Sequence, residues 1–371
     1  MTDKGLLAAI NHTSLVSGAE IVLLRALRGA RDRGWSVVVA CPPGTFRAQL
    51  EAAGIDSVSI PELILPAGPG AVAASRLAAR TVAAALAIRR VALDADLVLA
   101  NGLRTLPALR LASPRPPVVL LEHSVAPRAE WRGLMRFCAP VVDLVVGVSR
   151  AVTDSVAMWP GFADIPSTIV WNGTLWPVAP APASPPEPPV IGCSALLTPW
   201  KGQEVLLEAV ARLGRDEVVL ELMGGSFPKD GEYVERLHTR AAQPDLAGRV
   251  RFVGHLDDPL ERMRRWSVSV SASVDPEAGP LSVLESMSIG IPVVATDHGG
   301  PREVLGDAGL FVRPRDADAM AAAIAVVLDD KQLRRRFATA GRKRIANGLA
   351  LDHQVGALVD ELERAASVRR R

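Results

Sequence analysis

The chain has little that would suit it to polyanions, membranes or oxidising surroundings. Its 371 residues carry 42 Lys and Arg against 40 Asp and Glu, a formal charge of +2, so no general nucleic-acid partner is expected. Aromatic residues make up 4% of the chain, with a single tyrosine, which argues against stacking platforms for single strands. The three cysteines, Cys41, Cys138 and Cys193, are odd in number, far apart and set among apolar residues. None has a Cys or His partner at ligand spacing, so they read as reduced core thiols of a cytoplasmic protein. Met1-Thr2-Asp3-Lys4 leads straight into a strand pattern, and no signal peptide is expected. The most membrane-like stretch, Ala71 to Ile88, is interrupted by Arg76 and Arg80 and falls short of a span. Two glycosylation sequons, Asn11-His12-Thr13 and Asn172-Gly173-Thr174, read as chance in a cytosolic chain.

What is present is an α/β alternation long enough for two domains. Short apolar runs suggest strands at residues 6–11, 36–40, 56–60, 96–100, 118–122, 144–148 and 168–171. A second series falls at 190–195, 218–223, 251–254, 268–272, 293–296 and 309–313, again with helical patterns between. Two doubly wound, Rossmann-like domains follow. Between the series, Pro177 to Pro189 holds seven prolines in thirteen positions, which excludes a helix or central strand and favours an extended hinge. The expected division is therefore a domain over 1–176, a linker over 177–189 and a domain over 190–349, with a last helix over 350–371.

The chemistry concentrates in Ser271 to Glu303, SASVDPEAGPLSVLESMSIGIPVVATDHGGPRE. It reads as strand, loop, helix and strand, with the loop at the carboxyl edge where parallel sheets bind ligands. Pro280 suits the first helical position, Gly290 stops the helix, and Gly299-Gly300 makes a turn. Free N–H groups near Leu281 and Ser282 favour an anion. Glu277 precedes that helix start and Glu285 lies inside the helix, so a phosphate there would sit between two carboxylates. A nucleoside diphosphate-sugar has that layout, with Glu285 accepting from ribose hydroxyls and Glu277 from the sugar. A solvated loop acid and a surface helix acid are the plainer reading of E-x7-E alone; its surroundings weigh against it.

This stretch resembles the donor signature of retaining glycosyltransferases of the family-4 type, which have the GT-B fold. The resemblance extends over most of the chain, through SGAE at Ser17 to Glu20, VGVSRAV from Val146, WNGT at Trp171 to Thr174 and TPWKGQEVLLEA from Thr198. It implies two Rossmann-like domains facing each other across a cleft, the first on the acceptor side and the second on the donor side, with the last helix rejoining the first domain. It further implies a glycine turn at Gly18 facing the diphosphate, His123 beside the reacting sugar carbon, and Gly225 and Gly254 in loops holding the nucleotide. Gly279, Pro280, Leu281 and Ser282 join that donor set. Lys201, in a strand-to-helix loop, is suited to neutralise a diphosphate leaving group, with a solvated lysine the plainer alternative. Asn101 and Ser149, each at a strand end, could line the acceptor side. One departure stands out: the family pattern carries an Arg five residues before this Lys, and here the residue is Leu196, which cannot replace a guanidinium on phosphate charge. Arg25, Arg302 and His298 are the candidate substitutes.

The expected activity is transfer of a sugar from a nucleoside diphosphate-sugar to a hydroxyl of a glycan, a lipid-linked compound or a small molecule, with the configuration retained. No cofactor is expected beyond that co-substrate, and no metal, because no Asp-x-Asp cluster stands where a phosphate would sit. A GT-B epimerase and a catalytically silent nucleotide-sugar binder are the alternatives. Arg128, Arg132 and Arg136 fall at helical spacing beside Trp131 and Leu134, and Arg369–Arg371 end the chain; they suit either peripheral contact with anionic lipid or a solvated face.

Overall fold

The computed structural model describes residues 4–63, 71–125, 131–182, 186–256 and 258–368. It divides into two compact units, 1–171 with 354–371, and 172–353. In the first, β1 (Gly5–Asn11), α1 (Gly18–Asp32), β2 (Trp35–Cys41), α2 (Thr45–Ala52), β3 (Asp56–Ser59) and α3 (Ala71–Ala92) come in order. Then follow β4 (Leu97–Asn101), α4 (Leu106–Ala112), β5 (Val118–Glu122), α5 (Arg132–Cys138), β6 (Leu144–Gly147), α6 (Arg150–Ala157) and β7 (Ser167–Ile169). The strands form one sheet in the order β3-β2-β1-β4-β5-β6-β7, and every pairing is parallel. All five residues of β4 and of β5 are buried, as a strand covered by helices on both faces requires.

The second unit contains β8 (Val190–Ser194), α7 (Gln203–Arg212), β9 (Val219–Met223), α8 (Gly231–Ala241), β10 (Val250–Gly254), α9 (Leu260–Met263) and β11 (Val268–Ser271). It continues through α10 (Leu281–Ile289), β12 (Val293–Thr296), α11 (Gly300–Leu305), β13 (Gly309–Val312), α12 (Ala317–Asp329) and α13 (Lys331–Arg344). Its sheet runs β10-β9-β8-β11-β12-β13, again parallel. The last helix, α14 (Leu351–Val368), starts in the second unit and lies mostly in the first, where Val355 packs on Gly29 and Arg33 pairs with Asp360.

The division falls at 171/172, several residues before the proline-rich stretch. Residues 172–176 pack with the second unit: Thr174 bridges Ala350, and the Arg342 guanidinium lies 4.6 Å over the Trp176 ring. Arg342 also donates to the Val178 carbonyl (3.2 Å), which fastens the start of the proline stretch to α13. Pro280 is the cap residue before α10, with an extended ψ of 110°, so Leu281 and not Pro280 opens the helix. Arg132 and Arg136 lie on α5; Arg128 and Arg369–Arg371 fall outside the described residues. The three cysteines are free and buried, and burial pushes Cys193 up to about 12. No helix among the described residues is long and apolar enough to cross a membrane.

A tight corner fixes the second sheet. Trp266 is 1% exposed and its indole N–H donates to Glu221 (3.0 Å), a β9 carboxylate that also takes the Arg262 guanidinium. The Trp266 ring fills the space where a side chain on Gly192 of β8 would stand. Gly192→Ala should therefore overpack the corner and destabilise the protein by about 1–3 kcal/mol. A lowered urea midpoint at unchanged slope would show it, and an unchanged midpoint would mean that the ring moves aside freely.

Candidate functional site

In the second unit, three loops meet after β8, β11 and β12. The β8 loop makes a 3₁₀ turn at Pro199–Lys201 and enters α7 through Gly202, whose φ is 70°. A Cβ on Gly202 would overlap the Ala272 carbonyl, so glycine serves both for the left-handed turn and for the close approach to the end of β11. This sets Lys201 against the β11 loop. Its ammonium lies 2.9 Å from the Glu277 carboxylate, with side-chain exposures of 16% and 5%, and 4.2 Å over the Trp200 ring. At that burial an ion pair must be fully supported to be tolerated.

The support comes from neighbours whose part in this pair the sequence does not show. The Ser273 hydroxyl donates to Glu277. His298 Nε2 lies 2.8 Å from the Ser273 carbonyl, and as a carbonyl only accepts, that nitrogen carries the proton. Gly300 N–H donates to the Glu277 carbonyl (2.7 Å), and a Cβ on Gly299 or Gly300 would overlap the carbonyls of Glu277 or Ala278. The second glycine turn is thus a clasp on the acid's own backbone. Asn172, from the WNGT stretch, donates to the Gly279 carbonyl (2.7 Å) and holds the residue before Pro280. The signal was in the sequence as paired glycines and a motif, but its target was not.

Burial alone would raise the Glu277 pKa; the Lys201 ammonium, the Ser273 hydroxyl and His298 outweigh it and hold the carboxyl below its usual range. Downstream, α10 presents its first N–H groups at Leu281 and Ser282 with no acceptor inside the helix. Glu285 lies half-buried one turn further on. The arrangement supplies a cation, a helix amino end and two carboxylates along one loop–helix segment, which suits an anion carried between hydroxyl-bearing groups. Of the expected nucleotide-side glycines, Gly225, in the loop after β9, accepts from Leu197 N–H (2.8 Å), and Gly254, the last residue of β10, accepts from Gly224 N–H (2.8 Å). Leu196 is half-buried, its carbonyl held by Gln203 (2.8 Å). Of the candidate substitutes, Arg302 is engaged with Asp297 (2.6 and 2.8 Å), His298 is tied into the Glu277 cluster, and Arg25 belongs to the first unit. Among the described residues no group of three or more His, Cys, Asp or Glu side chains is assembled to hold a metal ion.

In the first unit, the carboxyl edge of the sheet gathers a second polar set. Asn101 accepts at Oδ1 from His123 Nε2 (2.9 Å) and donates to Asn11 (2.8 Å). Loss of hydration, and then the neighbouring His12, push His123 down to about 3. Glu122 is buried and its pKa raised by burial, opposed by bonds from Ser124, Leu103 and the His123 backbone. Gly18 is the first residue of α1, behind Ser17, which forms a reciprocal cap with Glu20. Ser149 caps α6, accepting from Val152 N–H (3.3 Å), so its hydroxyl is committed to the helix start. Asn11 and Asn172, the two sequon asparagines, are buried at 0% and 7% exposure and serve as structural bonds.

Comparison with known proteins gives two family matches, "Glycosyltransferase Family 4" over residues 16–174 and "Glycosyl transferases group 1" over 178–344. The chain is 36% identical over 164 residues to the lipopolysaccharide core biosynthesis glycosyltransferase LpsE of Rhizobium meliloti, covering 44% of the chain and 46% of LpsE. It is 36% identical over 152 residues to the phosphatidyl-myo-inositol mannosyltransferase of Mycolicibacterium smegmatis, covering 40% and 38%. These matches span under half of the length of either relative. Among solved structures, Anabaena HepE in complex with UDP and glucose superposes with a TM-score of 0.82 at 22% identity, over 96% of this chain and 98% of that one. Sucrose-phosphate synthase from Thermosynechococcus elongatus gives 0.77 at 20% identity, over 97% and 100%. Likeness at such identity shows the fold, which is GT-B.

The ion pair makes a pH-dependent forecast. Because the folded-state pKa of Glu277 lies below its unfolded value, its contribution is present above about pH 4.3 and is lost as pH falls through the folded value. Lys201→Met leaves the carboxylate buried without its cation and should cost about 3–5 kcal/mol at pH 7. In the variant, burial without the cation raises the Glu277 carboxyl, so it takes up a proton on acidification while the parent's stays ionised, and the deficit should shrink. Urea melts of both proteins at pH 7 and pH 5 decide it: a deficit equal at both would contradict the pairing.

Proposed function

The chain belongs to the family-4 type glycosyltransferases of GT-B fold, and from that premise we propose that it transfers a sugar from a nucleoside diphosphate-sugar to an acceptor hydroxyl, retaining the anomeric configuration. The observation that carries this reading is the pairing of half-buried Lys201 with buried Glu277 ahead of the amino end of α10. Breaking the bond between sugar and phosphate builds negative charge on the departing diphosphate and positive charge on the ring. Lys201 and the N–H groups of Leu281 and Ser282 meet the diphosphate, taking the ammonium from Glu277. Glu277, with the Ser273 hydroxyl still on it, then accepts from sugar hydroxyls in place of the ammonium, and Glu285 accepts from ribose. Gly225 and Gly254 leave room for the nucleotide, and the family resemblance adds Gly18 to the donor set. Leu196 supplies no charge, so Lys201 and the helix carry more of the phosphate than the family pattern would ask of them. His123 contacts the sugar; Asn101 acts through it, as argued below. The departing phosphate serves as base for the incoming hydroxyl on the same face, with no metal.

The similar HepE structure contains UDP-glucose, and a Corynebacterium glutamicum relative is GDP-mannose-dependent, which supports a nucleoside diphosphate-sugar donor without choosing the base. Relatives that build lipopolysaccharide core or mannosylate phosphatidyl-myo-inositol support a glycan or lipid-linked acceptor. A lipid-linked acceptor would be met from the cytoplasm at the inner membrane face. The relatives are transferases, which gives the epimerase and silent-binder readings no support.

The test pairs UDP-glucose and GDP-mannose with lipid and glycan acceptor extracts, following nucleoside diphosphate release and the anomer formed. The account expects acceptor-dependent release with the donor's configuration kept, and donor binding about 10- to 100-fold weaker in Glu285→Ala, the worth of a charged hydrogen bond. Conversion of donor without acceptor, or binding unchanged in Glu285→Ala, would overturn it.

A further inference from the structure

A chain of amides runs through the carboxyl edge of the first sheet to His123. Asn11 ends β1 and Asn101 ends β4; the two are direct partners in the parallel ladder and are 0% and 1% exposed. A carboxamide has one donating and one accepting face, and only a neighbour of fixed polarity decides how it turns. That neighbour is the Thr13 carbonyl, 3.0 Å from Asn11 Nδ2, which can only accept. Asn11 Oδ1 therefore faces Asn101, which donates to it (2.8 Å), and Asn101 Oδ1 is left facing His123 Nε2 at 2.9 Å. An accepting oxygen at that distance requires a proton on Nε2. Among the described residues His123 Nδ1 has no hydrogen-bond partner.

We propose that Asn11 and Asn101 are positioning residues that lock His123 as the Nε2-protonated tautomer, so that it offers the Nδ1 lone pair to a hydroxyl of the substrate. The Thr13 carbonyl, seated in the loop after β1, is the origin of that choice. The imidazole is neutral at pH 7, because burial and His12 keep its pKa far below that. His12 is itself held at about 4 by burial and by Arg104, whose guanidinium lies 3.5 Å from its Nε2. The acids of this set are engaged: Glu122 accepts from Leu103 N–H and from Ser124, Glu20 from Ser17 in the α1 cap while interacting with the Asn11 amide, and Glu62, which acts on His12, from the Ser14 hydroxyl. A lone pair selects a donating group, so this nitrogen favours a substrate hydroxyl and disfavours a carbonyl or phosphate oxygen at the same place. The inference rests on the functional reading above for contact between His123 and substrate; the tautomer itself does not depend on it.

The tautomer is read directly in the full chain by long-range ¹H–¹⁵N correlation of the histidine rings, without substrate. His123 is expected neutral and protonated at Nε2 at pH 7, with no titration between pH 5 and pH 8. Asn101→Leu removes the acceptor and should mix the two tautomers. Asn11→Leu, which never touches His123, frees the Asn101 amide to turn and should mix them too, with kcat/KM about 2- to 10-fold lower in each. A proton on Nδ1, a charged ring at pH 7, or an unchanged tautomer in both variants would overturn the proposal. Should either variant fail to fold, the parent spectrum decides alone. Absence of any transfer reaction with the expected tautomer present would sink the functional reading and leave this one standing.

Discussion

A half-buried lysine and a buried glutamate, Lys201 and Glu277, tie two loops of the second unit together. Neither charge is tolerable at such low exposure without the other. Their meeting requires the β8 loop and the β11 loop to touch, and the surrounding sequence is shaped to that end. Gly202 lets the two backbones come together, Ser273 and His298 occupy the carboxylate's remaining surroundings, and the paired glycines at 299 and 300 grip the backbone behind it. Taking a charge from water in advance is costly, and a fold that does so holds the group ready for a ligand of opposite sign. The local order around Glu277 is thus a condition of stability and, on the proposed function, the preparation of an anion site.

The first unit solves a different problem at the corresponding edge of its sheet. It gathers two histidines and two acids with little solvent, and holds them by burial and hydrogen bonds instead of ion pairs between them. His12 and His123 lose their protons, and the Glu122 and Glu20 pKa values rise. On the proposed function, an edge of this kind reads its ligand by hydrogen-bond direction, and the second unit by charge. Side chains that look interchangeable in sequence, such as Asn101 and Ser149, are sorted by this logic. Asn101 joins the amide chain, while Ser149 is spent on a helix start.

Much of the architecture was legible because buried parallel strands are short continuous apolar runs between turn residues, and every expected strand was found within a residue or two. The loop–helix segment at Glu277 to Glu285 was legible for the same local reason: its signals sit within nine positions of one another. What the sequence hid was distance along the chain. Asn11 and Asn101 are 90 residues apart and meet only because β4 inserts beside β1. Asn172 and Gly279 are 107 apart, and nothing in the WNGT motif names its target. Pro280 shows the limit of local rules: its ring fits a first helical position, yet the chain still needs an extended residue to turn out of the loop, and proline serves as the cap. The unit division falls a few residues before the proline-rich stretch, because proline content reports stiffness and not where packing changes sides.

The central claim is that an anion displaces a carboxylate at Lys201 and binds the amino end of α10. Its most direct test is a crystal structure with UDP or GDP bound. The account predicts the diphosphate within hydrogen-bond distance of Lys201 Nζ and of the N–H groups of Leu281 and Ser282, with the Lys201–Glu277 contact lengthened. A diphosphate bound elsewhere, with that ion pair intact, would contradict it.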